Sequence, residues 1–336
     1  MPAHDLFCID RYNHLVKRIA MFSVFIDGQE GTTGLQIHER LKNRTDLTVL
    51  EIPVEKRKDP ATKKEFLNNA DMVILCLPDA AAKESVAMIT NPTTRVIDAS
   101  TAHRTDPDWV YGLPELNGEQ RQKIRAAKRV ANPGCYSTGF LLLVRPLVEC
   151  GIITTDYPVT SSAISGYSGG GKKLIAAYEA PPAGEPSAAH LGSRNYALGL
   201  THKHIPEMQV HALLDQPPIF LPIVCAYYNG MNVTVPLHSH LLAKKVTPES
   251  LHEQLSTYYN GESFISVKPL SPDVSLENGF LNPVRCNGTN RCDLFVFGNE
   301  RQMVVAARFD NLGKGASGAA VQNMNIMMNV EESTGL

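Results

Sequence analysis

The chain has 336 residues, of which 43% are hydrophobic, and its formal net charge is −2 at a sequence pI of about 6.6. This length predicts two domains, each with enough apolar residues for a core of its own. The near-neutral charge argues against a nucleic-acid partner, and the lack of any run of about eighteen apolar residues argues against a membrane span.

The seven cysteines are odd in number and irregular in spacing. In a chain of this length they predict free thiols and a reducing, cytoplasmic setting. Cys286 and Cys292 form a close pair without a second one, so we expect no metal site. Residues 1–20 are polar and mixed in charge, and Met21 directly precedes the first strand-like run, which predicts an appended or weakly ordered extension.

Apolar strand-like runs alternate with helical runs over the first third of the chain. FSVFIDG, DMVILCLP and TRVIDAS are typical of buried strands, and helical patterns lie between them. This alternation predicts the α/β class, with a parallel sheet of the Rossmann type that binds a dinucleotide.

Three glycines, Gly28, Gly31 and Gly34, lie where the first strand turns into a helix, with Thr32 and Thr33 between them. Glycine there lets the backbone approach a pyrophosphate, which the free N–H groups of the helix start then bind. The alternative is a plain tight turn. We favour dinucleotide binding because the glycines follow a strand and open a helix.

The charges after the second strand are compatible with either NAD or NADP. Glu51 is near the position at which an NAD site carries an acidic residue for the ribose hydroxyl, whereas Lys56, Arg57 and Lys58 suit the 2′-phosphate of NADP. The basic run is equally compatible with a solvated charged loop. We predict NADP(H), with Arg57 as a contact.

Polar residues follow the strand that ends near residue 98, at the sheet edge where open α/β sheets bind ligands. We assign Ser100 to the cofactor, and Arg104 and Tyr111 to a substrate. Arg104 is a candidate anion clamp, although a surface salt bridge is an alternative.

Cys135 stands in the segment NPGCYSTGF, at the start of a predicted apolar helix. A helix start stabilises a thiolate and lowers its pKa, so the position suits a nucleophile. A small buried side chain is the alternative. Ser137, in the same first turn, is a candidate substrate contact.

The sequence changes character beyond this helix, where long strand runs with few helices predict a second, α+β domain with a mostly antiparallel sheet. The predicted boundaries are 21–136 with 313–336 for the first domain and 137–312 for the second. GYSGGGKK (166–173) has most of a P-loop but lacks its Ser or Thr. Lys172 is therefore a candidate anion contact, as is Arg194.

The segment LTHKHIPEMQ supplies candidate bases. If it is extended, as Pro206 favours, His202 and His204 lie on the same side. One imidazole would take the thiol proton, and Glu207 would orient it. We favour His204 as the base over His202.

Taken together, seven motifs resemble those of the N-acetyl-gamma-glutamyl-phosphate reductase family in its shorter form, within the aspartate-semialdehyde dehydrogenase-like superfamily. The resemblance runs from about residue 21 to about residue 329. The motifs are DGQEGTTG, DASTAHR, DWVYGLPEL, NPGCYSTG, HKHIPEM, TNRCDLFVFG and DNLGKGASGAAVQNMN.

The resemblance implies an NADPH-dependent reductase of arginine biosynthesis that acts on an acyl phosphate through a thioester. Cys135 would be the nucleophile and a histidine of HKH the base. It also implies that the segment after Lys314 completes the cofactor domain, that residues 137–312 form a catalytic and dimerisation domain, and that the subunits form homodimers or homotetramers. The alternatives are an aspartate-semialdehyde dehydrogenase and a non-catalytic NADP-binding redox sensor.

Overall fold

A computed structural model describes residues 21–57, 59–180 and 191–336, so the predicted extension and Lys58 lie outside the described residues. The helices in this part of the chain are α1 (Thr32–Leu41), α2 (Pro60–Asn69), α3 (Asp79–Met88), α4 (Gln120–Ala126), α5 (Cys135–Glu149), α6 (Gly171–Glu179), α7 (Ile205–Ala212), α8 (Pro248–Tyr258), α9 (Pro272–Ser275) and α10 (Gly318–Met328). None of the described helices is long and apolar enough to cross a membrane.

The first sheet is parallel throughout. Its strands are β1 (Phe22–Asp27), β2 (Leu47–Leu50), β3 (Met72–Leu75), β4 (Arg95–Asp98), β5 (Val110–Tyr111) and β6 (Arg129–Ala131). They are ordered β2-β1-β3-β4-β6-β5. All four residues of β3 are fully buried because helices cover both faces of such a sheet.

The second sheet is mixed. Its strands are β7 (Thr160–Gly166), β8 (Arg194–Asn195), β9 (Ile219–Cys225), β10 (Met231–His238), β11 (Ile265–Val267), β12 (Cys292–Gly298) and β13 (Gln302–Phe309). Its order is β11-β12-β13-β10-β7-β9-β8. The pairings β11–β12 and β7–β9 are parallel and the others antiparallel, which confirms the predicted fold class.

Two helices connect these layers. The apolar helix α5 is buried almost all round, and it packs against β10 and β13 of the second sheet. Helix α10 returns to the first sheet, where Val321 and Met324 share a core with Val24 and Ile74. The chain therefore passes from the first domain through α5 and comes back through α10.

One face of the second sheet is only partly covered. Side chains along β9 alternate, so that Phe220 is fully buried while Ile219, on the opposite face, is 49% exposed. Leu221 and Ile223 share the face of Ile219, together with Ile164 of the neighbouring strand, and all three are half-buried. We call this surface the outer sheet face.

Candidate active site

The glycine turn has the geometry that close approach of a ligand requires. Gly28 has a positive φ of 91°, and a Cβ there would lie 2.4 Å from the carbonyl oxygen of Cys76. A Cβ on Gly34 would lie 2.4 Å from the carbonyl oxygen of Gly28. Helix α1 starts after Gly31 without a side-chain cap, so its first N–H groups are free. The turn thus fits the pyrophosphate of a dinucleotide.

The other predicted cofactor residues surround this turn. Arg57 forms an ion pair with Glu30, which lies within the turn itself. Glu51 accepts a hydrogen bond from the His38 ring at 2.8 Å and is therefore already partnered. Ser100 is buried, and its hydroxyl donates to Asp98 at 2.7 Å, so it braces the end of β4.

A cavity of about 640 Å³ joins the glycine turn to the second domain. The cavity is lined by Thr32 and Thr33 of the glycine turn, by Cys135 at the start of α5 and by Arg194 of β8. Lys172 borders a smaller adjoining pocket that Thr32 and Thr33 also line. The parallel sheet and the mixed sheet therefore contribute to one site.

Cys135 is the first residue of α5 and is half-buried in the cavity wall. Burial raises the pKa of its thiol to about 11, against the lowering effects of Arg104 and the Tyr136 N–H and with a further rise from Glu207. The predicted lowering of this pKa is wrong for the ligand-free protein, because desolvation outweighs the helix start. The nucleophile therefore needs a base.

Glu207 holds the turn before Cys135. Its buried carboxylate accepts hydrogen bonds from the Arg104 Nη1 at 2.8 Å, the Tyr111 hydroxyl at 2.6 Å and the Gly134 N–H at 3.1 Å. The nearest nitrogen of the His204 ring is 4.0 Å away. The sequence predicted that Glu207 orients the base, whereas in the structure its hydrogen bonds fix the thiol-bearing turn.

Arg104 lines the cavity but is bonded to protein groups through all three nitrogens. Besides Glu207, Nε donates to the Asn132 carbonyl at 2.9 Å and Nη2 to the Ala99 carbonyl at 3.1 Å. These bonds use three of the five N–H donors of the guanidinium, so the role of Arg104 as an anion clamp stays a prediction. Its charge still favours the Cys135 thiolate, because it lowers the pKa of that thiol.

Tyr111 and Ser137, both predicted substrate contacts, lie behind the cavity wall. Both are buried and neither lines the cavity. Tyr111 donates to Glu207, and the Ser137 hydroxyl lies 3.5 Å from the His204 carbonyl. These residues support the catalytic turn and are not in a position to touch a ligand.

The two histidines lie in a turn, and the predicted extended segment is wrong. Helix α7 begins at Ile205 with Pro206 in its first turn, where proline is well tolerated. The His204 backbone N–H donates to Nδ1 of His202 at 3.1 Å, so this nitrogen carries no proton. The other ring nitrogen of His202 lies 3.4 Å from the Tyr196 hydroxyl. Burial lowers the pKa of His202 to about 4.

His204 has the freer ring. Its Nδ1 is buried and has no hydrogen-bond partner among the described residues. Burial, with the neighbouring Arg104, lowers its pKa well below the ordinary value, so the ring is neutral near pH 7. His204 lines the cavity together with Cys135, so its neutral imidazole is the candidate proton acceptor.

Several residues that line the cavity had not been singled out from the sequence, among them Lys203, Tyr136 and Tyr196. Lys203 is exposed between the two histidines and lines the cavity, and Tyr136 and Tyr196 join their hydroxyls at 3.2 Å. The place of Lys203 within HKH was a usable signal. No local pattern marked Tyr196. Arg194 reaches the Tyr178 hydroxyl at 3.2 Å, and no carboxylate partner is found for it in the described ranges.

A parallel dinucleotide-binding sheet, a helix-start cysteine and a neutral imidazole in one cavity define an oxidoreductase of the semialdehyde dehydrogenase class. Residues 23–124 match the family "Semialdehyde dehydrogenase, NAD binding domain", and residues 135–311 match "Semialdehyde dehydrogenase, dimerisation domain". The chain belongs to the N-acetyl-gamma-glutamyl-phosphate reductase family within this class. It is therefore an enzyme that uses a nicotinamide dinucleotide.

The relatives that show the family are similar over nearly their whole length. The N-acetyl-gamma-glutamyl-phosphate reductase of Burkholderia ambifaria is 50% identical over 309 residues, which are 91% of this chain and 96% of the relative. Proteins named N-acetyl-gamma-glutamyl-phosphate reductase 2 from Pseudomonas putida and Nostoc sp. are 48% and 47% identical, covering 93% of this chain and 98% of each relative.

The aspartate-semialdehyde dehydrogenase alternative is supported only by the fold. The enzyme of that name from Francisella tularensis superposes with a TM-score of 0.69 over 92% of this chain and all of its own, at 15% identity. The enzyme from Vibrio cholerae, solved with the ligand ASA, gives 0.67 at 16% identity over 92% of this chain and 98% of its own. The redox-sensor alternative is not supported, because the relatives carry the names of enzymes.

Proposed function

We propose that this chain reduces N-acetyl-gamma-glutamyl phosphate to N-acetylglutamate semialdehyde with release of phosphate, at the expense of NADPH, in arginine biosynthesis. The observation that carries the proposal is the cavity itself, which is lined by Thr32 and Thr33 of the glycine turn, by Cys135 and by His204. The names of the relatives at 50% identity supply the substrate.

The chemistry begins with the thiol proton. His204 accepts this proton, the Cys135 thiolate adds to the acyl carbon, and the bond to phosphate breaks, leaving a thioester on the sulfur. Free N–H groups in the first turn of α5 stabilise the oxyanion of the addition. A bound NADPH supplies the hydride that reduces the thioester. The C–S bond then breaks, the aldehyde leaves, and His204 returns its proton to the sulfur.

The glycine turn and Arg57 support a preference for NADPH. The free N–H groups after Gly31 bind pyrophosphate, and Arg57 brings a guanidinium beside the turn, where a 2′-phosphate would need a cation. The ratio of kcat/KM for NADPH to that for NADH tests this preference. A ratio at or below one contradicts it.

Two cations in the cavity wall suit the anionic groups of the substrate. Arg194 and Lys203 line the cavity, and neither has a carboxylate partner among the residues that the structure describes. We assign the substrate carboxylate and phosphate to these residues, with Lys172 as a further candidate in the adjoining pocket.

The outer sheet face supports self-association as a homodimer or homotetramer. Ile219, Leu221 and Ile223 place apolar surface on one side of the sheet, and the matched family is described as a dimerisation domain. An isologous contact between two such faces would bury this surface. The described cysteines are free thiols, which suits a cytoplasmic location.

The substrate assignment is tested by assaying NADPH oxidation with N-acetylglutamyl phosphate and aspartyl phosphate side by side. We expect turnover with the first and little with the second. Equal or reversed preference would assign the chain to the aspartate enzyme instead.

A further inference from the structure

A π-helical turn, Gly313–Ser317, forms the part of the cavity wall that faces Cys135. The N–H groups of Gly315 and Ser317 donate to carbonyls five residues earlier, at 3.0 and 2.9 Å. Such turns are rare in proteins, and those that occur often lie at functional sites. A Cβ on Gly315 would lie 2.8 Å from the Cβ of Cys135, so the turn is in direct contact with the nucleophile.

Lys314, within this turn, is fully buried and does not line the cavity. Its ammonium lies 2.7 and 2.9 Å from the two carboxylate oxygens of Glu115, and 2.7 Å from the side-chain oxygen of Gln322. The Gln322 amide also donates to Glu115 at 2.9 Å. Exposure of both charged side chains is 0%. The ammonium and the carboxylate thus neutralise each other without solvent.

The same turn braces other parts of the active site. The Ala316 carbonyl accepts a hydrogen bond from the Asn132 amide at 3.1 Å, three residues before Cys135. The Ser317 hydroxyl lies 3.0 Å from the side-chain oxygen of Gln36 on the cofactor helix α1. A displacement of the turn would therefore shift both the thiol and the cofactor helix.

A buried ion pair is a costly way to obtain stability alone. Desolvation of both charges offsets most of their attraction, and an apolar pair of similar volume is commonly as stable. This pair also connects two segments of the chain: Glu115 lies in the loop after β5, and Lys314 is next to Gly315 in the π turn.

We infer that Lys314 and Glu115 are positioning residues. Their ion pair holds the π turn against Cys135 and so fixes the position of the thiol relative to the cofactor helix. Neither residue touches the substrate. The inference rests on the proposed function in that it takes Cys135 as the nucleophile.

The test compares the double variant Glu115→Leu/Lys314→Met with the wild type. Either single change leaves a buried charge unpaired and is expected to destabilise the fold, whereas the double change should restore the thermal midpoint. We expect kcat to fall by about a hundredfold with KM for the acyl phosphate little changed, as for a small misplacement of reacting groups. Cys135 should alkylate faster with iodoacetamide, because a loosened wall lets water reach the thiol.

The matched control is Arg121→Gln. Arg121 pairs with Glu262 and with Glu332, and Glu332 in turn accepts a hydrogen bond from Gln322. The substitution of Arg121 should leave kcat and the alkylation rate unchanged. A stable double variant with wild-type kcat and wild-type alkylation would overturn the inference. Lack of turnover in the wild type would instead overturn the proposed function, and the alkylation comparison would still test the positioning role.

Discussion

The protonation state of Cys135 depends on opposing effects at one residue. The helix start and Arg104 favour the thiolate, whereas burial and Glu207 favour the thiol and raise its pKa to about 11. A thiol with a raised pKa is mostly protonated near neutral pH and reacts slowly with electrophiles. Catalysis therefore requires a base that removes the thiol proton.

The pH dependence of alkylation tests this balance. Because the pKa of Cys135 is raised above that of an ordinary thiol, the thiolate fraction should grow with pH well beyond neutrality. We expect the rate of iodoacetamide modification of Cys135 in the free enzyme to rise without a plateau up to about pH 10. A plateau near neutral pH would mean that the helix start outweighs burial after all.

The two histidines should respond differently to substitution. His204→Ala removes the ring with the unpaired nitrogen, and should lower kcat by about a hundredfold or more with cofactor affinity retained. His202→Ala removes a ring whose Nδ1 already accepts the His204 N–H, and should lower kcat less. Steady-state kinetics at one saturating substrate concentration distinguishes them, and a larger loss for His202→Ala would exchange their roles.

Residue identities could be predicted from the sequence more readily than residue partners. Helix-start spacing singled out Cys135 and the HKH pair singled out His204; both residues line the cavity, and their catalytic roles stay predictions. Glu207 was misassigned because its partners Arg104 and Tyr111 are 103 and 96 residues away along the chain. No local pattern encodes such contacts, and they decide which side chains face the cavity.

At the scale of elements, the turn from β1 to α1 depends on the absence of side chains. Gly34→Ala would put a methyl group 2.4 Å from the Gly28 carbonyl oxygen, so the backbone must shift. We expect NADPH affinity, measured by nicotinamide fluorescence, to fall about tenfold or more, and stability to fall by about 1–3 kcal/mol. Gly118→Ala, with open space around it, is the control and should change neither. Wild-type affinity in Gly34→Ala would remove the glycine turn from the cofactor site.

The segment from His202 to Glu207 shows where element prediction failed. Pro206 was interpreted as favouring an extended chain before it, but proline fits equally well in the first turn of a helix, and here it is the second residue of α7. The local sequence is compatible with both structures. Packing of Ile205 and Met208 into the core with Phe140 decides between them, and that contact is not visible in a short window.

At the scale of the whole molecule, the outer sheet face should control assembly. Ile223→Arg places a charge in the middle of this face, and burial of that charge between two copies would be costly. Light scattering after gel filtration should then show a smaller species than the wild type at equal concentration. Val210→Arg, on the exposed side of α7, is the control and should assemble normally. Unchanged assembly of a folded Ile223→Arg variant would move the interface elsewhere.

The fold as a whole was largely predictable, for a physical reason. Alternation of apolar runs with helical periodicity encodes a parallel sheet, and long strand runs encode a mixed one, so both layers and the returning helix α10 were expected. What the sequence could not supply was the contact between layers. The π turn against Cys135 and the buried pair of Lys314 and Glu115 arise from segments that are far apart in the chain.

The central claim is a covalent acyl-enzyme at Cys135, and mass spectrometry of the intact protein tests it most directly. Mixed with N-acetylglutamyl phosphate in the absence of cofactor, the wild type and the control Cys150→Ser should release an equimolar amount of phosphate and gain an acyl group on Cys135. Cys135→Ser should gain none and lose turnover by orders of magnitude while still binding NADPH. NADPH-dependent turnover by Cys135→Ser, or an acyl group on another residue, would contradict the account.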